Sequence, residues 1–300
     1  MDKEKELLQQ IANMLFINTQ RVNQYGLLQG KLGIAIFFYH YARYTGDERY
    51  NDFPNEYVEY IYEKLGKDSF ENFADGLSGI GWGIDYIIKE GFVDADDDML
   101  EKVDEEVIKI DYSDFVKEIE LPIPLFSKGL YFIQRNNKGI FSNIVRQIDI
   151  FFQKSLDKQI PMMYINSIVY FLLISVKQGV EVNLCKTIVD KIFNSLRQSV
   201  ESKSFSDMDN LLMLQKNISL MDDYDAAKWE QIVMNRPFTN DMEFIHNISY
   251  LDFLFSQGKR TCLDINELYN IMPAVIKQPN YGNLSIYCGL ASVGIKIMRK

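Results

Sequence analysis

A short glycine-containing phrase recurs along the chain and limits what it can fold into. The copies are GKLGIAIFF at 30–38, GLSGIGWGI at 76–84, GLYFIQ at 129–134, INSIVYFLL at 165–173, HNISYLDFL at 246–254 and CGLASVGIKI at 288–297. Their approximate starts, at Gly30, Gly76, Gly129, Tyr164, Asn247 and Gly289, are 46, 53, 35, 83 and 42 residues apart. The longest gap predicts a further copy near 205–215. A period of this length fits two helices and two connections, which predicts a helical repeat protein.

The apolar residues between the copies also have helical spacing. Ile188, Ile192, Leu196 and Val200 recur every four residues, and similar patterns occur at 7–15 and 144–152. Such a stripe lets a helix bury one face against a neighbour, and strand signals are weak throughout. The whole chain is therefore predicted to be helical.

The glycines and acidic residues of the phrases predict how the helices begin and end. Two glycines three residues apart leave one helical face without side chains, which permits close helix approach. Gly46 and Gly91 follow apolar helices and are expected to end them. Asp75 precedes GLSG and is predicted to be the N-cap of the next helix, although it also qualifies as a binding residue.

The last copy stays apolar to the end of the sequence given, whereas an open solenoid needs a polar cap. This pattern favours closure of the last repeat against the first. The expected architecture is all-α, an α/α toroid of about seven helical hairpins with inner and outer helix layers. Residues 1–300 are expected to form a single domain.

Charge and cysteine content exclude several classes of function. The 300 residues have a formal net charge of −10, which disfavours nucleic acid and anionic membranes as partners. No run of 18 apolar residues is present, and the amino terminus lacks the pattern of a signal peptide. Three cysteines, Cys185, Cys262 and Cys288, cannot form a disulfide framework, so a cytoplasmic location is expected.

The phrases GLLQGKLGIAIFFYHYARYTGD and FADGLSGIGWGIDYIIKEGF resemble the first two repeats of the lanthionine synthetase C-like family, most closely its Bacteroidetes-type members. IYCGLASVGIKIM resembles the closing repeat. The resemblance is specific over about 26–92 and collinear to residue 300. It implies a seven-hairpin α/α toroid. It also implies an activity, the addition of a precursor peptide's cysteine thiol to a dehydrated residue, which forms a thioether ring.

The family's zinc ligands are two cysteines and one histidine, in a Trp-Cys-x-Gly and a Cys-His-Gly phrase, and neither phrase is present here. His246 matches the family histidine, but Ile245 replaces the neighbouring cysteine. One imidazole does not hold zinc tetrahedrally. Cys262 and Cys288 could complete a site only if the fold placed both beside His246. The resemblance therefore implies a member without zinc or another cofactor.

A second departure concerns proton transfer. Active relatives have an aspartate four residues before the first glycine of the GLSG phrase, and this position is Asn72 here. No catalytic residue is assigned. The favoured reading is a cyclase-inactive pseudoenzyme of a peptide-modification pathway, such as lantibiotic biosynthesis, which binds a precursor peptide or a modifying enzyme. The alternatives are an active thioether-forming cyclase and a toroid enzyme of different chemistry, such as glycoside hydrolysis through two carboxylates.

Four residues are candidates for contact with a substrate: His246, Asp75, Trp82 and Asp85. His246 matches the family position, and the other three flank or follow the GLSG phrase. Aromatic side chains at helical spacing also suit a core. His40 is predicted to be packed or hydrogen-bonded at a helix end, and Cys185 to be a small buried residue. The acidic run at 94–107 lacks EF-hand spacing and is expected to be a solvated turn.

Large side chains replace glycine in the weaker copies. Phe132, Tyr164 and Tyr250 stand at expected glycine positions. They are predicted to fill the space that active relatives leave open at the centre of the toroid.

Overall fold

The computed structural model describes residues 3–64, 72–154, 159–200, 213–214, 216–233, 284–287 and 289–299. All regular secondary structure in these ranges is helical, and they contain no strand. The all-α prediction is confirmed at this level. Within the same ranges, no helix is both long and apolar enough to cross a bilayer.

The described α-helices are numbered here in chain order. They are α1 (Lys3–Asn18), α2 (Lys31–Thr45), α3 (Arg49–Lys64), α4 (Leu77–Lys89), α5 (Glu101–Lys109), α6 (Tyr112–Glu118), α7 (Ser127–Arg135), α8 (Phe141–Lys154), α9 (Met162–Lys177), α10 (Val182–Val200), α11 (Asp223–Val233) and α12 (Leu290–Met298). Short 3₁₀ helices cover Thr19–Arg21, Asp97–Leu100 and Lys138–Ile140.

Two kinds of helix alternate, as expected for inner and outer members of hairpins. In α2, α4 and α9, long unbroken runs are buried, namely Leu32–Ala42, Leu77–Ile87 and Met163–Ser175. In α1 and α8 only one face is buried. A helix that is apolar all round needs neighbours on every side, whereas an amphipathic helix needs them on one side.

Glycine residues mark both ends of several helices. Gly30, Gly76 and Gly289 are the N-caps of α2, α4 and α12, each with extended backbone. The prediction that Asp75 is the N-cap of α4 is wrong, because Gly76 takes that place without any side-chain cap bond. Gly46 and Gly91, with φ of 70° and 68°, follow α2 and α4 in the left-handed region, which confirms them as helix-ending residues.

The N-caps correct the register of the third repeat. The N-cap of α7 is Phe126, so Gly129 corresponds to Gly33, the glycine inside α2, and not to Gly30. In the same way Tyr164 lies three residues after Pro161, the N-cap of α9. Tyr164 therefore does replace a glycine, but the second glycine of the phrase.

The chain divides into two compact units. The first contains the described residues of Met1–Phe70, Ala74–Val103 and Asp241–Lys300, and the second those of Glu71–Phe73 and Asp104–Asn240. His246, Tyr250, Cys262 and Cys288 lie outside the described residues, as does most of the copy expected near 205–215.

In the first unit, α2 packs against its hairpin partner α3 and against α4, and α12 packs against α1 and α2. The approach of α12 is close: a Cβ on Gly294 would lie 2.8 Å from Cδ2 of Phe37 and 3.4 Å from Cγ2 of Ile11. The last described helix is thus fixed against the first two helices of the chain. This is the contact that closure of the repeats requires.

In the second unit, α7 with α8 and α9 with α10 form successive hairpins, and α7 also packs against α9. Aromatic rings fill the interior. The ring of Phe126 lies 5.1 Å from that of Phe115, 5.8 Å from Phe171 and 6.0 Å from Tyr164, measured between centroids. Cys185 is buried in α10, as predicted. Phe132 and Tyr164 are both fully buried.

Candidate functional site

Backbone hydrogen bonds join the turns that precede α2, α4 and α12. The N–H of Tyr287 donates to the carbonyl of Leu28 (3.0 Å), and the N–H of Leu28 donates to the carbonyl of Ala74 (2.8 Å). Each of these residues lies two positions before a glycine N-cap. The same bond therefore links the last repeat to the first and the first to the second. We call Leu28, Ala74 and Tyr287 the turn ladder.

The turn ladder depends on glycine where the turns approach one another. A Cβ on Gly26 would lie 2.8 Å from Oδ1 of Asp75 and 2.9 Å from the carbonyl oxygen of Ala74. A Cβ on Gly33 would lie 2.9 Å from Cβ of Ile286. Because real Cβ atoms do not tolerate such distances to backbone, a side chain at Gly26 would push the turns apart.

Asp75 is half-buried beside the turn ladder, one residue before the N-cap of α4. Burial raises the pKa of its carboxyl group, and a hydrogen bond from the backbone N–H of Gln29 opposes that rise. A carboxyl group held between two turns can accept a hydrogen bond from a peptide N–H. Of the three predicted contact residues that the structure describes, Asp75, Trp82 and Asp85, only Asp75 lies beside the turn ladder.

Trp82 and Asp85 lie within α4 and are buried. The carboxylate of Asp85 forms an ion pair with Nζ of Lys89 at 2.7 Å, one helical turn later. The indole of Trp82 stacks on the ring of Tyr86, with centroids 5.5 Å apart and planes 7° from parallel. Their roles in binding a substrate, and that of His246, stay predictions.

A second set of contacts joins α2, α4 and α12 at their carboxyl ends. Nε2 of His40 lies 2.7 Å from the hydroxyl of Tyr86. The side chain of Arg299 hydrogen bonds to Tyr86, and Arg43 and Arg299 both reach Glu90. We call these five residues the histidine–tyrosine cluster.

The donors of the histidine–tyrosine cluster can be assigned. A guanidinium group only donates, so the phenol oxygen of Tyr86 accepts from Arg299. The phenol hydrogen then donates to Nε2 of His40, which places the imidazole proton on Nδ1. Burial, and the charges of Arg299 and Arg43, lower the pKa of His40 to about 3. His40 is therefore a neutral, hydrogen-bonded histidine near a helix end, as predicted.

Three members of this cluster occupy equivalent positions in their repeats, which explains why they meet. His40, Tyr86 and Arg299 each lie ten residues after a glycine N-cap, those of α2, α4 and α12. The sequence alone could have indicated their contact, because equivalent positions of adjacent repeats lie at the same level of stacked helices. This repeat pattern is hard to recognise in the sequence, because the three equivalent positions hold residues of different chemical type.

The second unit contains a buried carboxyl group that the sequence did not single out. Glu118, the last residue of α6, is 3% exposed and accepts hydrogen bonds from the hydroxyl of Tyr164 (2.8 Å) and from the backbone and side chain of Ser127. Burial raises the pKa of Glu118 to about 8, although these three bonds oppose the rise. We call Glu118, Ser127 and Tyr164 the glutamate–tyrosine cluster.

Lys128 is a second buried charged group of the same unit. Its Nζ donates to the carbonyls of Ile108 and Ile110, both at 2.7 Å, and to Oε1 of Gln147 at 3.1 Å. Burial lowers the pKa of Lys128 to about 8. Two donors of the ammonium group satisfy backbone carbonyls at and just after the end of α5, and the third binds Gln147 in α8, which is a structural role.

The described residues contain no donor set that fits the zinc site of the family that the sequence resembles, and His246, Cys262 and Cys288 lie outside them. Within the described ranges, no three His, Cys, Asp or Glu side chains lie close enough together to hold a metal ion. Cys185 is buried in α10, where burial raises the pKa of its thiol to about 12. Such a thiol does not provide the thiolate that zinc requires.

Comparison with known proteins agrees with the repeats described above. The model of the lanthionine synthetase C-like protein family matches residues 21–156. This match begins at the last residue of the 3₁₀ helix after α1, covers α2 to α8 and includes the N-caps Gly30, Gly76 and Phe126. No curated protein and no solved structure matches the chain.

Proposed function

Residues 21–156 form a lanthionine synthetase C-like domain, and from this premise we propose that the chain serves a peptide-modification pathway as a binding protein without zinc. It binds a precursor peptide or the enzyme that modifies one. The observation on which this proposal depends is the combination of the family domain with a sequence that lacks both cysteine-containing phrases of the zinc site.

The proposed architecture is a closed α/α ring of about seven hairpins formed by one domain. Two observations in the first unit support closure. The turn ladder repeats one hydrogen bond from the last repeat to the first and from the first to the second. The histidine–tyrosine cluster then joins equivalent positions of the same three repeats at the other end of the helices.

Asp75 is the proposed anchor for the peptide. It lies beside the turn ladder and at the amino end of α4, where a helix contributes partial positive charge. Asn72 replaces the aspartate of active relatives, and an amide does not exchange protons near neutral pH. Asp75 can therefore orient a peptide through hydrogen bonds, and no zinc-dependent step is assigned to it.

Metal analysis of the purified full-length protein tests the absence of zinc. We expect less than about 0.1 zinc per chain after growth with added zinc, since a single imidazole binds the ion weakly. His246→Ala and Cys288→Ser serve as matched variants. Stoichiometric zinc that both substitutions remove would overturn the proposal and favour the alternative of an active thioether-forming cyclase.

Capture of partners from the native host tests the pathway. Tagged wild-type protein is expected to retain a precursor peptide or its modifying enzyme, and Asp75→Asn to retain at least tenfold less peptide. Lys3→Ala, at an exposed position of α1, serves as the control. Recovery of unrelated assembly proteins, equally with all three proteins, would show a structural module of a different complex.

A further inference from the structure

The first unit contains a cavity between α1, α2 and α3, separate from the turn ladder. Its volume is about 360 Å³. The lining is Ala12, Asn13, Phe16, Phe38, Asp47, Arg49, Tyr50 and Phe53. This volume is within the range of sites that take a small ligand or one large side chain.

Aromatic rings form one wall of the cavity. The ring of Phe53 lies 5.0 Å from that of Phe38 and 5.7 Å from that of Phe16, between centroids. Phe16 is 59% exposed, and Ile17 beside it is 69% exposed. Two large apolar side chains are thus exposed to water next to the aromatic wall of the cavity, and a partner that covered them would bury apolar surface.

The surface continues along α3 as an aromatic stripe, formed by Tyr50, Phe53, Tyr57 and Tyr60 at intervals of three and four residues. Phe53 and Tyr57 are in contact, with centroids 4.5 Å apart. All four rings are half-buried or exposed. The aromatic stripe therefore extends the apolar surface from the cavity to the far end of α3.

An acidic stripe runs beside it. Asp52, Glu56, Glu59 and Glu63 are all exposed and follow the same spacing, on a face roughly 100° around the helix from the aromatic stripe. None of these four forms an ion pair within the part of the chain that the structure describes. Their charge is therefore available to a partner.

Two basic side chains beside the cavity and the aromatic stripe already contact other groups. The guanidinium of Arg49 pairs with the carboxylate of Asp47 at 2.6 Å. Nζ of Lys31 lies over the rings of Tyr57 and Tyr25, 4.8 and 5.2 Å from their centroids. The surface around the cavity is thus apolar along one stripe and negatively charged along the next.

We propose that this surface binds a basic amphipathic peptide segment of a partner protein. One apolar side chain of the segment enters the cavity beside the aromatic wall of Phe16, Phe38 and Phe53, and its lysines or arginines lie over the acidic stripe. Helical peptides with apolar residues at intervals of three and four match both stripes. The site is distinct from Asp75 and the turn ladder, and the proposal stands whether or not those residues bind a precursor.

Binding of two labelled synthetic peptides to the full-length protein tests this proposal by fluorescence anisotropy. One is a 14-residue amphipathic peptide of leucine, phenylalanine and lysine, and the other has glutamate in place of every lysine. We expect the lysine peptide to bind at least tenfold more tightly, with an affinity that falls as salt rises. Phe16→Ser, at an exposed position, is expected to weaken its binding at least tenfold.

Charge-reversal variants distinguish binding at this surface from general attraction between a basic peptide and an acidic protein. The triple variant Asp52→Lys, Glu56→Lys and Glu59→Lys is expected to weaken binding of the lysine peptide at least tenfold. The matched control reverses three exposed acids of the turn after α4 instead.

The control substitutions are Asp94→Lys, Asp96→Lys and Asp98→Lys, which change net charge equally away from the cavity. Equal losses in both triple variants, or equal affinity for the two peptides, would overturn the proposal.

Sedimentation equilibrium tests whether a second copy of the chain occupies the surface. A dimer that Phe16→Ser dissociates would show that a second copy of the chain covers the surface instead.

Discussion

Each unit buries the hydroxyl of a tyrosine against a titratable side chain 46 residues away, but the two partners respond to pH in opposite directions. In the first unit Tyr86 bonds to His40, whose pKa is lowered to about 3. In the second Tyr164 bonds to Glu118, whose pKa is raised to about 8. Burial favours the neutral form in both cases, so a base and an acid shift oppositely.

The consequence for stability follows from proton binding. Folded His40 binds fewer protons than unfolded His40 between pH 3 and 6.5, so its contribution is lost as pH falls through that window. Folded Glu118 binds more protons than unfolded Glu118 between pH 4.5 and 8, so its contribution is lost as pH rises. The stability of the first unit therefore decreases as pH falls below about 6.5, and that of the second decreases as pH rises towards 8.

Removal of the Tyr164 ring is expected to have the largest effect. Tyr164→Ala leaves a cavity between α9 and its aromatic neighbours and should lower the free energy of unfolding by about 3–5 kcal/mol. Tyr164→Phe keeps the ring and loses only the bond to Glu118, which should cost about 1 kcal/mol. Urea denaturation followed by circular dichroism measures both. Similar losses for the two variants would show that the hydroxyl matters more than packing.

Glu118→Gln should remove the pH dependence of the second unit. Between pH 5 and 8 the wild-type protein is expected to lose up to about 4 kcal/mol of stability relative to the variant, because each pKa unit corresponds to 1.36 kcal/mol. Asp114, the nearby acid that raises the pKa of Glu118 further, is left unchanged. Parallel stability curves for wild type and variant, from urea denaturation at several pH values, would contradict the buried titration.

A methyl group at Gly33 should disturb the contact between the first and last repeats. Gly33→Ala places a Cβ against the carbonyl oxygen of Leu27 and 2.9 Å from Cβ of Ile286, and such overpacking is expected to cost about 1–3 kcal/mol. Gly139→Ala is the control, because its Cβ would meet only Oδ1 of Asn137 at 3.5 Å. Thermal denaturation of both variants tests the expectation. No loss at Gly33 would contradict the close approach of these turns.

His40→Gln should give the smallest effect. From pH 6.5 to 5.5 the wild-type protein is expected to lose about 1 kcal/mol relative to the variant, since neutral glutamine can accept the bond from Tyr86 at either pH. Arg43, Arg299 and Glu90 are present in both proteins, so they do not cause the difference. The same denaturation series detects the change, and a difference of opposite sign would contradict a neutral histidine.

Much of the first unit was predictable from the sequence because its repeats share glycines. The starts of α2, α4 and α12 follow from local signals at Gly30, Gly76 and Gly289, and the ends of α2 and α4 follow from the glycines that come after them. The position of Asp75 beside the turn ladder was not predictable, since the N-cap was assigned to it instead. The preference for a cap assumed that a side-chain oxygen was needed, and glycine meets the backbone requirement without one.

The second unit was less predictable for a physical reason. Glu118 lies in the polar-looking stretch FVKEIEL, and its burial depends on the loop at 119–126 and on Tyr164 in α9. Lys128 likewise receives its partners from the ends of α5 and from α8. The burial of Glu118 and of Lys128 depends on contacts between helices that are far apart in sequence. The periodicity of the sequence does not indicate such contacts.

The packing of α12 against α1 and α2 has a consequence for how the protein is made. The ring of Phe37 lies over Gly294, more than 250 residues later, so the amino-terminal hairpin acquires this neighbour only after all the intervening residues have been synthesised. Until then part of the apolar surface of Ile11 and Phe37 is uncovered, and contacts of such long sequence separation form slowly. Folding of this unit therefore cannot be complete until long after the synthesis of its first two helices.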